Sequence, residues 1–342
     1  MRIVVAGAGA VGASVAYHLA LLGARDVVLC DRAEVAGGST ARAMGGVRQQ
    51  FSTLAEVRLA QASIGFFEEL GPPFFRRVGY LFLATTPEGS ARLEERMARQ
   101  RSLGVPVERA RVPPGVRADD VLAAVACWRD GVADPPAVTR ELVRRAAGLG
   151  VRVEEERDAR ELDRDVLVVC CGAWSAELAP ELPIRPLCRQ LLETTALELP
   201  EPLPMVVEEE TGFHFRRRDD RLLVAMRDPE PRFGFATDVD ESVFGDRLAR
   251  LAWRCPPAAG AAVERAWAGL YDMTPDAHPV VGRVRDGVYA ACGFSGHGFM
   301  QAPAVGRALA EEIVLGASSF DLAPYRLGRF EDGAAVPETL VL

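Results

Sequence analysis

Three glycines near the start of the chain have the spacing of a phosphate-binding turn. Gly7, Gly9 and Gly12 follow a short apolar run at residues 3–6 in the pattern G-x-G-x-x-G. The first glycine permits a tight turn, the second lets a pyrophosphate approach the backbone, and the third lets a helix pack on the strand. Asp31, nineteen residues after Gly12, is placed to bind ribose hydroxyls. The pattern predicts a dinucleotide site.

A strand, a turn and a helix must position these residues. Residues 3–6 and 27–30 are apolar runs with β-branched side chains, and Val11, Val15 and Leu19 repeat between them at helical spacing. Two further segments have the same strand-and-turn character. The apolar run 165–171 ends at Gly172, and the run 287–293 is followed by a glycine loop and by a helix predicted over 302–315. Because the carboxyl ends of parallel strands share one edge of a sheet, these turns are expected to meet at one ligand.

Other segments interrupt this pattern. They carry strand-like runs at residues 78–84, 205–208, 211–216 and 221–226, and helices are predicted at 54–70, at 87–103 and after Asp134 as the N-cap. The predicted fold class is therefore α/β with two domains. A Rossmann-like domain is assigned to residues 1–75, 135–185 and 265–342, and a second domain with a mostly antiparallel mixed sheet to residues 76–134 and 186–264.

Composition excludes several classes of protein. The formal net charge is −8 and the arginines are scattered, which does not favour a nucleic-acid partner. No apolar run approaches the roughly 20 residues of a membrane span. Seven cysteines without metal-ligand spacing indicate reduced thiols and no metal site. The glycine fingerprint explains the apolar N-terminal stretch better than a signal peptide does, so a cytoplasmic location is expected. The chain contains no lysine, so no Schiff base or lysine general base can form.

Six stretches together resemble the FAD-dependent amino acid oxidase superfamily, and most of all its sarcosine oxidase, glycine oxidase and L-proline dehydrogenase β-subunit branch. They are the fingerprint at residues 1–32, the stretch 37–51, Gly172-Ala173-Trp174-Ser175, Pro186-x-x-Arg189-Gln190, the motif from Tyr271 to Gly282, and Gly293-Phe294-Ser295-Gly296-His297-Gly298-Phe299.

The resemblance implies FAD as the cofactor, a Rossmann-like FAD-binding domain of the glutathione-reductase type, and hydride transfer from a C–H bond next to an amine nitrogen. The implied cofactor-binding residues are Gly7, Gly9, Gly12, Asp31, Arg32, Ser39, Thr40, Arg42, Gly45, Gly46, Val153, Cys171, Gly172, Trp174, Gly269, Gly293, Gly296, His297, Gly298, Phe299 and Met300. Relatives that bond FAD covalently use positions held here by Gly269 and Arg42, so FAD is expected to be non-covalent.

The resemblance also implies the substrate residues. Arg48 is the expected partner of a substrate carboxylate, because a guanidinium can hold a carboxylate through two hydrogen bonds. Tyr271 is expected to line the pocket, and His297 either donates to the flavin, lines the site or serves only the structure of the turn. Met300 replaces a lysine that helps to bind the carboxylate in sarcosine oxidases. His214 faces away from its two phenylalanine neighbours and can point to the site or to solvent.

Three functions follow from these residues. The first is oxidation of the C–N bond of a small amino acid or secondary amine, similar to sarcosine, glycine or proline, with electrons passed to a protein partner or subunit. The second is oxidation of a 2-hydroxy acid, which requires a base such as His214 or His297. The third is a flavin-binding subunit or assembly factor without turnover.

Overall fold

The computed structural model describes residues 1–333 and 335–342, and within them it forms three sheets and six α-helices. The strands are β1 (Arg2–Ala6), β2 (Asp26–Cys30), β3 (Gly46–Val47), β4 (Phe75–Arg76), β5 (Tyr80–Ala84), β6 (Val107–Arg109), β7 (Ala123–Cys127), β8 (Gly131–Ala133), β9 (Arg152–Glu154), β10 (Val166–Val169), β11 (Arg185–Thr194), β12 (Met205–Glu208), β13 (His214–Arg218), β14 (Arg221–Ala225), β15 (Val263–Met273), β16 (Val280–Arg285) and β17 (Val288–Cys292). The helices are α1 (Ala10–Leu21), α2 (Leu54–Leu70), α3 (Pro87–Ser102), α4 (Pro135–Gly148), α5 (Phe244–Arg254) and α6 (Gly298–Leu315).

The first sheet has six strands in the order β16-β17-β10-β1-β2-β9. All its pairs are parallel except β16 with β17. The central strand β1 is buried on both faces, which explains its continuous apolar run. Helix α1 follows β1 through the glycine turn and packs against α4 and α6. This arrangement confirms the Rossmann-like prediction.

The second sheet has eight strands in the order β15-β11-β14-β13-β12-β5-β7-β6. Only the pair β12–β5 is parallel, so the predicted mostly antiparallel mixed sheet is confirmed. One face packs against α5 through a core that includes Phe213, Phe215 and Leu251. In a small third sheet, of order β3-β8-β4, the central strand β8 pairs antiparallel with β3, which leads to Arg48, and with β4.

Helix α6 begins four residues earlier than predicted. A start at Ala302 would place Pro303 in the first turn, where proline is tolerated, whereas proline costs stability inside a helix. In the structure the helix starts at Gly298, and Gln301 is fully buried with its side-chain amide bonded to the Glu56 carboxylate of α2. This contact with a distant helix holds the extra turn. Helix α2 itself has the predicted bounds.

The division into domains stays a prediction, with one boundary revised. The division between residues 264 and 265 falls inside β15, which pairs with β11 along the length from Val263 to Met273. We therefore move the end of the second domain to Met273. Among the described residues, no helix has the length and apolar character needed to cross a membrane.

Candidate active site

A single large cleft brings most of the predicted site residues together. It encloses about 2290 Å³ of empty space, part of it open to solvent, and is lined by residues from both large sheets. The predicted residues that line it are Gly7, Gly9, Asp31, Arg32, Ser39, Thr40, Arg42, Gly45, Gly46, Arg48, Cys171, Gly172, Trp174, Gly269, Tyr271, Gly296, His297, Gly298, Phe299 and Met300. Gly12, Val153 and Gly293 do not line it.

The glycine turn forms a cradle at one end of the cleft. Gly7 has a φ of 102°, and a Cβ there would lie 2.4 Å from the Cys170 carbonyl oxygen, so no other residue fits. A Cβ at Gly12 would lie 1.8 Å from the Gly7 carbonyl oxygen, so this glycine lets α1 pack closely on the turn. The N-terminus of α1 faces the cleft, and its Ala10 N–H donates to the Thr40 hydroxyl at 3.1 Å. The cradle fits the pyrophosphate of a dinucleotide.

Asp31 closes the turn from the end of β2. Its carboxylate accepts the Ala8 N–H at 2.7 Å and the Ala33 N–H at 2.9 Å, and it remains part of the cleft wall. Val153 was expected beside it, but Val153 pairs with Leu29 inside the edge strand β9 and does not reach the cleft. The wall there is formed by residues 157–160 of the short link that follows β9.

The stretch after β2 is held against the second sheet. The Ser39 hydroxyl donates to the Leu270 carbonyl oxygen of β15 at 2.8 Å, and the Trp267 indole N–H donates to the Arg42 carbonyl oxygen at 3.1 Å. The Arg42 guanidinium donates to the carbonyl oxygens of residues 37 and 38. These bonds connect the glycine-rich stretch to β15 and so fix the position of one sheet relative to the other across the cleft.

Arg48 is almost fully buried, with 1% of its surface exposed, yet it lines the cleft. Its Nη1 donates to the Gln50 carbonyl oxygen, its Nη2 donates to the Leu340 carbonyl oxygen at 2.9 Å, and its Nε has no partner among the described residues. The guanidinium carbon lies 4.1 Å from the centroid of the Phe51 ring. Arg48 therefore reaches the cleft with main-chain carbonyls as its present acceptors, and its role as the partner of an anion stays a prediction.

Two histidines line the same end of the cleft. His214 donates its Nδ1–H to the Gly212 carbonyl oxygen, 2.7 Å away, and burial lowers its pKa to about 4. His297 contacts the Leu340 carbonyl oxygen through Nε2 at 3.3 Å, and burial together with the Arg48 charge lowers its pKa. Both imidazoles are therefore neutral at pH 7. His214 points to the site rather than to solvent.

The carboxyl-terminal glycine loop ends at α6. Gly298, Phe299 and Met300 form the first turn of this helix and line the cleft, so its positive end faces the cavity. Gly293 lies behind this wall, where its N–H donates to the Asp272 carboxylate at 2.7 Å. Gly293 therefore shapes the loop through Asp272 without lining the cavity.

Three features of the cleft were not assigned from the sequence. Tyr80 lines it from β5, fully buried, and burial raises its pKa. Arg189 lines it from β11; its motif was noticed, but no role was given to it. A segment at residues 338–342 approaches Arg48 and His297 through the Leu340 carbonyl oxygen. No local signal in the sequence marked these contacts, because each depends on strands or segments far apart in the chain.

Glu338 anchors that segment. Its carboxylate accepts the N–H groups of Ser52 and Thr53 at 3.1 Å, and its own N–H donates to the Asp276 carbonyl oxygen at 2.9 Å. Hydrogen bonds to the ionised form keep the pKa of Glu338 low even though its burial acts in the opposite direction. The segment is thereby held beside Arg48, and Leu342 forms part of the cleft wall.

Known proteins resemble the chain along nearly its whole length. The "FAD-dependent oxidoreductase domain-containing protein 1" of Bos taurus is 29% identical, over 99% of this chain and 87% of that protein. The mitochondrial sarcosine dehydrogenase of Mus musculus is 24% identical over 96% of this chain, which spans only 41% of that longer protein. The crystal structure of L-proline dehydrogenase from P. horikoshii superposes with a TM-score of 0.90 at 26% identity, covering 97% of this chain and 98% of that one.

The family comparison agrees with the cleft. Residues 2–312 match the family described as "FAD dependent oxidoreductase", from the first strand of the glycine fingerprint to the last turn of α6. This range contains the cradle at Gly7, Asp31 and the loop before α6, which are the parts of the cleft that fit a dinucleotide with a flavin ring. The chain belongs to the FAD-dependent oxidoreductase (DAO) family, and its cofactor is FAD.

Proposed function

We propose that the protein oxidises the C–N bond of a small amino acid or secondary amine, with a sarcosine-, glycine- or proline-like substrate. The observation that carries the proposal is the continuity of the cleft, which runs from the cradle at Gly7 to Arg48 and Tyr271 beneath the second sheet. A dinucleotide seated on the cradle would direct its flavin toward these two side chains. FAD would accept the hydride, and the residues of the chain would position the substrate against it.

We assign Arg48 as the partner of the substrate carboxylate. Its buried Nε has no acceptor among the described residues, and a carboxylate can provide one. When Arg48 holds the carboxylate, the α-hydrogen of the substrate can be oriented for transfer. Arg48 would therefore increase the rate by positioning the substrate and not by acid–base chemistry. Met300 and the neutral phenol of Tyr271, which is partly exposed to the cleft, would form the less polar wall on which the substrate body packs.

The alternative substrate, a 2-hydroxy acid, is less well supported. Its hydroxyl requires a general base whose pKa is near the working pH. The pKa of His214 is about 4, and the pKa of His297 is also lowered by burial, so both imidazoles are weak bases. An amine that is already neutral can lose its hydride without such a base.

The third possible function is a flavin-binding subunit without turnover. A substrate screen with an artificial electron acceptor distinguishes it from the two oxidation reactions.

The pH profile tests this assignment. For an amine substrate, we expect kcat/KM to rise with pH as the substrate amine loses its proton, without an imidazole ionisation between pH 5 and 8. The lowered pKa of each histidine keeps both neutral across this range. If kcat/KM shows an ionisation near pH 6 that disappears in His297→Asn or His214→Asn, a histidine acts as a base and the amine assignment is contradicted. If the ionisation disappears instead in Asp272→Asn, it belongs to the Asp272 carboxyl, whose pKa burial raises to about 6.

FAD is expected to co-purify and to be released by acid or heat. The positions used for covalent attachment in relatives are Gly269 and Arg42, and the cleft thiol of Cys171 has a pKa that burial raises to about 12, so little thiolate exists to react. The measurement is flavin fluorescence on the denatured polypeptide after gel separation, with free FAD mixed into a denatured sample as the control. Fluorescence that stays with the polypeptide would show a covalent bond.

Two further assignments rest on the sequence. We propose a protein partner or subunit as the electron acceptor, because the chain has no lysine to promote the reaction with oxygen. We also propose a cytoplasmic location, which the seven free thiols of the structure support.

A further inference from the structure

Arg189 is a cleft-lining arginine without an acceptor. It lies on β11 opposite Gly269 of β15, and its guanidinium carbon is 5.8 Å from the centroid of the Tyr271 ring. Its Nε and Nη1 are shielded from solvent, and no described residue accepts a hydrogen bond from them. No described carboxylate lies within ion-pair distance of it. Because buried donors are normally satisfied, these nitrogens indicate an acceptor that a ligand brings.

Arg227 adds a second positive charge beside Arg189. It follows the cleft-lining residues Ala225 and Met226, and its Nε and Nη2 donate to the Val341 carbonyl oxygen. Arg227 is exposed to solvent, but its partial burial and the Arg189 charge both lower its pKa, so the two guanidinium groups repel each other. The negative charge of Glu209 acts in the opposite direction on Arg227, but this carboxylate is already held by Arg96 at 2.7 Å. The repulsion between the two arginines is therefore not relieved by a dedicated acid.

Three positive charges act together around Tyr271. Arg189, Arg48 and Arg227 each favour the ionised phenol and oppose the rise in the pKa of Tyr271 that burial causes. None of the three forms an ion pair with a described carboxylate, although the chain as a whole carries a net charge of −8. One substrate carboxylate can satisfy Arg48. It leaves Arg189 and Arg227 without a counter-charge.

We propose that the substrate is an amino dicarboxylate, whose first carboxylate binds Arg48 and whose second carboxylate binds Arg189 with added attraction from Arg227. This inference rests on the proposed function and narrows its substrate class. The Nη2 group of Arg189 also makes no hydrogen bond to a described residue, so the edge formed by Nε–H and Nη2–H can donate to both oxygens of a carboxylate. A substrate with one carboxylate would leave the Arg189 donors buried and unpaired, so the second carboxylate determines specificity.

Turnover of two nearly isosteric substrates tests the proposal. The holoenzyme is given N-methyl-L-aspartate or N-methyl-L-asparagine with an artificial electron acceptor, so that the two substrates differ only in the charge of one group. We expect kcat/KM to be at least about 30-fold higher for the diacid, the size of one charge-assisted contact. Arg189→Met should remove most of this ratio and Arg227→Met a smaller part. Arg185→Met is the control, because Arg185 is exposed on the same strand and does not line the cleft.

Two results would overturn the proposal. The first is a wild-type ratio near one. The second is an equal loss for both substrates in Arg189→Met, which would assign the arginine to the flavin or to the fold instead.

Binding without turnover separates this inference from the proposed function. Succinate and its monoamide, succinamate, are compared for their effect on the flavin absorbance and on the thermal midpoint of the holoenzyme. We expect a larger effect from succinate in the wild type, and loss of that difference in Arg189→Met. If no amine is oxidised but succinate still shows this preference, the proposed function fails and the dicarboxylate site stands. Equal effects of the two compounds would contradict the dicarboxylate site itself.

Discussion

Replacing Arg48 with methionine is expected to raise KM for carboxylate substrates strongly or to abolish turnover, while FAD remains bound. The loss of a charge-assisted contact to a carboxylate costs about 2–5 kcal/mol, which corresponds to about 30- to 5000-fold in kcat/KM. Arg48→Lys should also be impaired, because an ammonium cannot reproduce the planar fork of the guanidinium. Steady-state kinetics and the flavin content of each purified variant are the measurements.

The buried position of Arg48 makes the choice of controls important. Its two Nη groups already bind the Gln50 and Leu340 carbonyl oxygens, so its removal also disturbs the fold locally. Arg140→Met is the matched control, since Arg140 is exposed on α4 and makes no side-chain hydrogen bond among the described residues. A comparison with an amine that lacks a carboxylate separates the two roles. Equal losses for both substrates, or unchanged activity, would remove Arg48 from carboxylate binding.

The reduced enzyme is expected to react slowly with oxygen. The first electron transfer to oxygen makes superoxide, which a fixed positive charge stabilises, and in the sarcosine oxidases that the chain resembles a lysine near the flavin has this role. This chain has no lysine, and a guanidinium spreads its charge over three nitrogens. We therefore expect re-oxidation by oxygen to be much slower than turnover with the best artificial acceptor.

Stopped-flow mixing tests this expectation. The enzyme is reduced without air, mixed with buffered oxygen, and followed at the flavin absorbance band. Re-oxidation as fast as turnover with the best artificial acceptor would show that the reasoning from lysine is wrong. The structure then identifies the arginines to examine, because Arg48 and Arg189 both line the cleft. Arg48→Met and Arg189→Met would show which guanidinium accelerates the reaction.

Features that depend on local chemistry were predicted well from the sequence. Helix α2 has the expected bounds because the Thr53 hydroxyl caps its first turn and Gly71 follows its last residue. The cap at Asp134 also forms as predicted, with its carboxylate accepting the Ala137 N–H at 3.0 Å. The glycine turn could be recognised because Gly7 and Gly12 each occupy a place that a side chain would fill. These signals lie within a few residues of the structure they produce.

Features that depend on distant contacts could not be predicted. The start of α6 is set by the bond between Gln301 and Glu56, two residues on different helices. Val153 resembles a cofactor residue in sequence, but the short edge strand carries it away from the cleft. For this protein, the sequence by itself determined the class of cofactor and the positions along the chain of the strands that bind it, because glycine turns and apolar runs are local.

Only the tertiary structure decided which side chains meet at the substrate end of the cleft. The pairing of Arg189 with Gly269 places that arginine on the same face of the sheet as Tyr271, since alternate residues of a strand share a face. Glu338 brings the Leu340 carbonyl oxygen to Arg48 across 292 residues of sequence. Such contacts follow from strand register and from the packing of distant segments, so the spacing of residues along the chain does not predict them.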